Sequence, residues 1–413
     1  MDLDMLPEGP LYLEVGNGIK HVMEKLSKKT YKRSSERSSE IDFVVLRGRF
    51  SRFIDTRISN EELFGALTML SCLPYLKQLC LRRLQIPIPA LTNVLLYDEL
   101  KAKQSDYSNS KQQGLEELEL RSICLSGSRR EMEELAQALK SHSSLKKISL
   151  ADCRPEGGSC RHLDSIFLAL AKMPRLEELE LDLMELPRWL NSQQQSFQGL
   201  IQYGNLRSLT MSYMRIPESY ITILTEALKD NHVLKHLYLD RCDSLTRQST
   251  LNMAQMLREN SCLEKLKLVV KKYEDAIPIA EALETSNSTL TALFLRSYHQ
   301  LEVSPQVYEA FLSMTQRNYS LQELYTFIAN PMIYPDVHPT MKFYLTLNKA
   351  GRGKLMGGRC GSWEAEEAPN EEWIETIIST RADTACSYYF LSHNPTVVDN
   401  ALQHENARME MVV

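Results

Sequence analysis

The chain has no stretch approaching the roughly 18 consecutive apolar residues that a membrane-spanning helix needs, so no such helix is expected. Charge of one sign is scarce too. Forty-eight lysines and arginines stand against 53 aspartates and glutamates, a net −5 over 413 residues, which argues against a molecule built throughout for nucleic acid. Residues 1–10 carry Asp2, Asp4 and Glu8 and lack the basic and then apolar segments of a secretory leader, which predicts that the chain is not secreted. Cysteine is too thinly spread for a disulfide framework: nine residues, an odd number, scattered along the chain. A reducing compartment follows, cytoplasm or nucleus.

Catalytic signatures are missing as well. There is no H-E-x-x-H, no paired-carboxylate signature, and no Ser, His and Asp set that spacing assembles. Ala350-Gly351-Arg352-Gly353-Lys354-Leu355 fails as a phosphate loop, because Asn348 stands where the first glycine belongs and Leu355 where a hydroxyl is needed. That segment reads as a basic turn. Cys153, Cys160 and His162 lack a fourth ligand at zinc-like spacing. No catalytic residue, cofactor or metal is expected.

What the chain has is a phrase, Leu-x-x-Leu-x-Leu. It appears as Leu115-x-x-Leu118-x-Leu120, Leu145-x-x-Ile148-x-Leu150 and Leu176-x-x-Leu179-x-Leu181. It recurs at Leu206-x-x-Leu209-x-Met211, Leu234-x-x-Leu237-x-Leu239, Leu263-x-x-Leu266-x-Leu268, Leu290-x-x-Leu293-x-Leu295 and Leu321-x-x-Leu324. Leu76-x-x-Leu79-x-Leu81 fits upstream, and Ile41-x-x-Val44-x-Leu46 fits loosely. Successive starts lie 35, 39, 30, 31, 30, 28, 29, 27 and 31 residues apart. Self-similarity at a fixed period predicts a stack of units rather than a globule.

Between phrases the apolar spacing turns helical. Met132, Leu135, Ala136 and Leu139 share a stripe, as do Ile221, Leu224 and Leu228. Leu251-x-Met253-Ala254-x-Met256-Leu257, Ile277 to Leu283 and Val307 to Met314 repeat the pattern. Asn231, Asn260 and Asn318 mark helix exits and are expected in the left-handed conformation. Lys103 to Gly114 and the Gln- and Ser-rich Arg188 to Gly199 read as inserted loops.

A strand and a helix every 28 or so residues resembles the ribonuclease-inhibitor-like class of leucine-rich repeat, over residues 41–327. The resemblance implies an α/β fold: a right-handed horseshoe solenoid of about ten repeats, with a parallel β-sheet on the concave face and helices on the convex face. Cys153 and Cys242 each lie eight residues after a phrase's first leucine, where such repeats take Asn or Cys. Buried, unreactive thiols are expected there.

Ends of a stack need covers. Residues 1–40 are read as a capping helix, with Ile19, Val22 and Leu26 on one face, followed by a basic linker. The run Lys28-Lys29-Thr30-Tyr31-Lys32-Arg33 in that linker fits either a solvated connection or a nuclear import signal. Ser59 and Glu62 form a capping box leading into Leu63, Phe64, Leu67 and Leu70. Residues 328–400 are read as a carboxy-terminal cap, with a helix starting at Asn370 and burying Trp373, Ile377 and Ile378; 401–413 are read as a disordered tail. Leu347 to Arg352, Glu372-Trp373 and Tyr389 to Pro395 together resemble a terminal module that trails such repeats in some algal proteins and carries no known activity.

Function falls to the residues between the leucines. Asp42, Lys77, Glu116, Lys146, Glu177, Arg207, Lys235 and Glu264 hold the second place of each phrase, and their alternating sign reads as lateral charge pairs that favour register. The fifth and seventh places give Tyr238, Asp240, Phe294, Arg296, Tyr325 and Phe327 toward the carboxy end, and Arg47, Arg82 and Arg121 toward the amino end. Exposed aromatics and arginines belong to binding hot spots. The expectation is a monomeric, non-catalytic scaffold that engages a protein partner there, with no nucleic acid and no membrane. A Ran-type GTPase activator shares the repeat class but carries a long acidic tail, where this chain has only separated Glu364, Glu366, Glu367, Glu371 and Glu372. Leu6-Pro7-x-Gly9 resembles the start of an F-box, the basis for a ubiquitin-ligase adaptor as the other alternative.

Overall fold

In a strand, alternate side chains share a face, so the fourth and sixth places of each phrase point one way and the fifth and seventh the other. The computed structural model of the chain places a parallel strand on each phrase from Leu76 to Leu324. It describes residues 11–15, 43–48, 63–65, 67–68, 76–105, 114–155, 163–182, 191–242, 244–297, 303–326, 338–355 and 384–393. These fall into two units: an N-terminal unit, Met1–Ala227 with Leu239–Asp243, and a C-terminal unit, Leu228–Tyr238 with Ser244–Val413.

The N-terminal unit runs β1 (Leu11–Val15), β2 (Phe43–Gly48), β3 (Gln78–Arg82), β4 (Gln85–Pro87), α1 (Ile88–Ser105), β5 (Glu117–Arg121), β6 (Cys124–Ser126) and α2 (Arg129–Ser141). It continues β7 (Lys147–Ala151), β8 (Arg154–Pro155), α3 (Leu163–Leu170), β9 (Glu178–Asp182), α4 (Asn191–Tyr203), β10 (Ser208–Ser212) and α5 (Glu218–Lys229), whose last two residues belong to the C-terminal unit. β1, β2, β3, β5, β7, β9 and β10 pair in that order, all parallel. β4, β6 and β8 form a second small parallel sheet.

The C-terminal unit runs β11 (His236–Asp240, its last two residues assigned to the other unit), α6 (Arg247–Glu259), β12 (Lys265–Val270), a 3-10 turn (Tyr273–Ala276), α7 (Ile277–Thr285), β13 (Ala292–Ser297), α8 (Pro305–Arg317) and β14 (Glu323–Tyr325). α9 (His338–Lys349), α10 (Arg352–Leu355) and α11 (Thr384–His393) follow. Its strands β11 to β14 pair in parallel and in register.

The phrase leucines supply the core. From Leu76 to Leu324 all are buried except the half-buried Leu150. Each such side chain would cost about 2–5 kcal/mol to truncate. The helical stripes face them: Met132, Leu135, Ala136 and Leu139 from α2, Met253, Ala254, Met256 and Leu257 from α6, and Val307, Phe311 and Met314 from α8. Leu251 departs from its stripe and is exposed. Helix starts follow from sequence: Ser128 and Glu131 close a capping box on α2, and Thr246 Oγ1 accepts from Ser249 N at 3.1 Å at the start of α6.

Several expectations fail for physical reasons. β1 precedes the first recognised phrase; it alternates Leu11, Leu13 and Val15 without the full motif, inside the segment read as a cap. The supposed loop Arg188 to Gly199 is largely α4, since Gln is a good helix former and Phe197, Leu200 and Ile201 bury one side of it. Lys103 to Ser105, read as the start of an inserted loop, close α1 instead. Asn260 and Asn318 end their helices in extended conformation, with φ of −77° and −83°, not left-handed. Among the described residues, the non-glycine residues with left-handed φ are Arg83, Ser122, Asp152, Tyr213 and Arg241, each just after the strand of a repeat and all assigned to the N-terminal unit. The proposed capping residues Ile19, Val22, Leu26, Ser59, Glu62 and Trp373, and the basic run 28–33, lie outside the described residues.

Asparagine instead builds a ladder through the C-terminal unit. Asn260 Nδ2 donates to Leu228 O (2.6 Å) and Asn231 O (3.0 Å), while its Oδ1 accepts from Cys262 N and Leu263 N. Asn287 repeats this toward Leu257 O and Asn260 O, and Asn318 toward Leu283 O and Asn287 O. Asn348 continues it, donating to Asn318 O and Leu321 O. All four are buried, so each amide satisfies backbone groups that water cannot reach.

The segment read as a basic turn is buried. Arg352 is 1% exposed; its Nη2 donates to Thr315 O, Gln316 O and Asn318 O at the end of α8, and its guanidinium lies 4.4 Å from the Tyr319 ring centre. A cation at a helix C-terminus complements the carbonyl dipoles. Gly351 has φ 100°, and a Cβ on Gly353 would lie 2.9 Å from Tyr319 O, so the two glycines admit the backbone beside this arginine.

Candidate functional site

Parallel pairing in register turns equal phrase positions into lateral rows spaced about 4.8 Å apart. In the C-terminal unit one row reads Tyr238, Lys267, Phe294, Tyr325 across β11 to β14. The row beside it reads His236, Lys265, Ala292, Glu323. Both lie on the sheet face opposite the buried leucines, as strand alternation requires.

The spacing dictates how the rings meet. Phe294 and Tyr325 stack with centroids 4.5 Å apart and planes 4° apart, while Tyr325 stays 56% exposed. The His236 and Tyr238 rings lie 6.1 Å apart along β11. Burial first, and then the charge of Glu323, push the Tyr238 phenol up from its ordinary value. Arg296 is exposed on β13, beside Val269 of β12. Glu323 is paired with Lys349 at 3.8 Å.

Three of the aromatics marked from sequence, Tyr238, Phe294 and Tyr325, therefore share one row, and Arg296 lies two residues along from Phe294. Phe327 and the side chain of Arg47 lie outside the described residues. Asp240 falls in the N-terminal unit, where its carbonyl accepts from Tyr213 N at 3.0 Å. Lys267, between Tyr238 and Phe294, holds the same fifth place of its phrase, but an aromatic pattern does not reveal it.

Arg82 and Arg121 behave differently. They are register neighbours, and both close on Glu119: Arg82 Nη2 at 3.0 Å and Arg121 Nε at 3.1 Å. Arg82 Nε also donates to Cys80 Sγ at 3.0 Å. Burial, then Glu119, push that thiol up to about 11. The rows around them hold Glu117, Glu119, Glu178 and Glu180 with a single lysine, Lys147, which lies 3.5 Å from Glu178 and 3.4 Å from Glu180.

The second-place charges pair laterally as their alternation predicts. Lys146 meets Glu116 at 3.0 Å, Arg207 meets Glu177 at 3.9 Å, and Lys235 meets Glu264. Cys153 and Cys242 are buried thiols whose Sγ atoms lie 3.3 Å and 3.2 Å from Leu120 O and Met211 O. Among the described residues no group of three or more His, Cys, Asp or Glu is placed to hold a metal ion, and no helix is long and apolar enough to cross a membrane.

No family model matches this chain, and no curated protein matches it. Among solved structures it is similar to one titled Leiomodin-1 Actin-Binding Site 2 (ABS2), with 22% identity over 34% of this chain and 78% of that chain and a TM-score of 0.30. A likeness that slight carries no argument about function.

Proposed function

We propose that this chain is a non-catalytic scaffold that binds a protein partner on the open sheet face of its C-terminal unit. The observation that carries the reading is the row Tyr238, Lys267, Phe294, Tyr325, with its stacked and solvent-facing ring pair. Rings standing on the sheet face opposite the leucine core are not needed to fill it, and rigid aromatics lose little entropy on docking, so they suit a contact surface. The parallel register and repeating strand–helix order support the ribonuclease-inhibitor-like repeat class and a right-handed α/β horseshoe of about ten repeats, with this face on its concave side. Cys80, Cys153 and Cys242 are thiols not joined in disulfides, which fits a reducing compartment, cytoplasmic or nuclear.

The test is affinity capture from native lysate with wild type and a Tyr238→Ala/Phe294→Ala/Arg296→Ala variant, each first checked for unchanged thermal unfolding. A partner held by wild type and lost by the variant is the expected result, since truncating true hot-spot residues costs about 2 kcal/mol or more each. An unchanged set of partners would remove the site from this face.

A further inference from the structure

The two rows of the C-terminal face differ in charge from the equivalent rows of the N-terminal unit. The latter hold four glutamates against Lys147. The former hold Lys265 and Lys267 against one carboxylate, Glu323, which meets Lys349. At the seventh place beside these rows stand Arg296 on β13 and Asp240 on β11, where the N-terminal unit has Arg82, Arg121 and Asp182. The same scaffold positions accept acids in one unit, so cations around the rings in the other are not imposed by the strand geometry.

We infer that the occupant of this face is an acidic segment of another protein, with carboxylates next to an aromatic or aliphatic anchor. The inference rests on the proposed binding role and names the chemistry of the partner. The anchor packs against the exposed ring of Tyr325, and the carboxylates meet Lys265, Lys267 and Arg296. Opposite charges across an interface steer encounter and fix register. Distances agree with this occupant. From Lys267 to Tyr325 is two strand spacings, about 10 Å, the reach of about three residues of extended peptide. A single-stranded nucleic acid also pairs cations with stacked bases, but it needs a groove of cations that follows its backbone. Lys265, Lys267 and Arg296, interrupted by Glu323, do not make one.

The experiment uses the full chain and a random copolymer of glutamate and tyrosine as the probe, followed by calorimetry at two salt concentrations. Polyglutamate, a lysine–tyrosine copolymer and oligothymidylate serve as comparisons. Wild type should bind the glutamate–tyrosine copolymer more tightly than any of the three, and more weakly as salt rises. Lys265→Gln/Lys267→Gln and Phe294→Ala/Tyr325→Ala should each lower that affinity about tenfold or more, with circular dichroism matching wild type. Equal binding of polyglutamate or of the lysine copolymer, tighter binding of oligothymidylate, or indifference to either variant would overturn the inference. The same variants in the lysate capture separate the two readings. A partner lost only with the aromatic variant keeps the binding face and removes the acidic segment. A partner indifferent to both removes the face itself.

Discussion

The two units turn the chain between helix and strand by different means. In the C-terminal unit Asn231, Asn260, Asn287 and Asn318 stand three residues before a phrase leucine, and the Oδ1 of each accepts from that leucine's N–H and from the N–H before it. In the N-terminal unit the same place holds His142, whose Nδ1 accepts from Leu145 N at 3.3 Å, and the buried Met173, which makes no such bond. The N-terminal unit instead spends left-handed residues on the other side of its strands. Arg83, Ser122 and Asp152 each donate their N–H to the last carbonyl of the following strand, at 2.9, 2.7 and 2.8 Å. One unit ties its repeats with side chains inside the core, the other with strained backbone at the strand exits. Regular leucine spacing therefore does not imply uniform cohesion.

The sharpest break of that comparison is Asn318→Ala. It leaves Leu283 O, Asn287 O, Ser320 N and Leu321 N without their buried partner, and should cost about 3 kcal/mol in the urea unfolding of the C-terminal unit. His142→Ala should cost about 1 kcal/mol. Equal losses would mean that the ladder adds nothing beyond a single capping bond.

Next come the sheet faces. Phe294→Ala/Tyr325→Ala should weaken partner binding by about 2 kcal/mol or more, whereas Arg82→Ala/Arg121→Ala, whose guanidinia are held by Glu119, should leave it within about 0.5 kcal/mol. The reverse order, read by calorimetry with a captured partner, would move the site to the N-terminal unit.

A smaller effect concerns pH. Burial pushes the Cys153 thiol up to about 12 from an ordinary 9.0. The unfolded thiol loses its proton first, so the stability it contributes is fully present below about pH 9 and is lost as pH rises from there toward 12. Cys153→Ala should flatten that alkaline part of the stability profile. Alkylation of Cys153 in the folded protein should stay slow at pH 8.

The smallest change expected is Glu119→Gln, which releases two half-exposed ion pairs and should shift stability by less than about 1 kcal/mol. A larger loss would show the N-terminal face to be a structural network rather than a solvated surface.

The leucine phrase carried the strands and their register into view because both are local: burial at two-residue spacing, repeated. Cys153, Cys242 and the lateral pairs of Lys146 and Lys235 were legible for the same reason. Asn260 was legible as a helix exit, but not its conformation or its ladder, because that role is not local. Its amide donors are used by carbonyls of the preceding repeat, 29 and 32 residues earlier, and nothing in the neighbouring sequence marks them. Arg241 and Tyr213 were invisible as left-handed positions, since neither is a residue that favours that conformation. Arg352 looked solvent-facing because a charged residue between glycines usually is; its partners are the carbonyls of Thr315, Gln316 and Asn318. Of the site, the aromatic row was legible from phrase position, and Lys267 lay in the same column unread.

Every rung of the asparagine ladder points backwards along the chain. Asn260 reaches for Leu228 and Asn231, Asn287 for Leu257 and Asn260, Asn318 for Leu283 and Asn287, and Asn348 for Asn318 and Leu321. During synthesis the amino end emerges first, so each pair of acceptor carbonyls leaves the ribosome before the amide that will bind it. The C-terminal unit is thereby suited to assembly in the direction of translation, each repeat docking onto one already made.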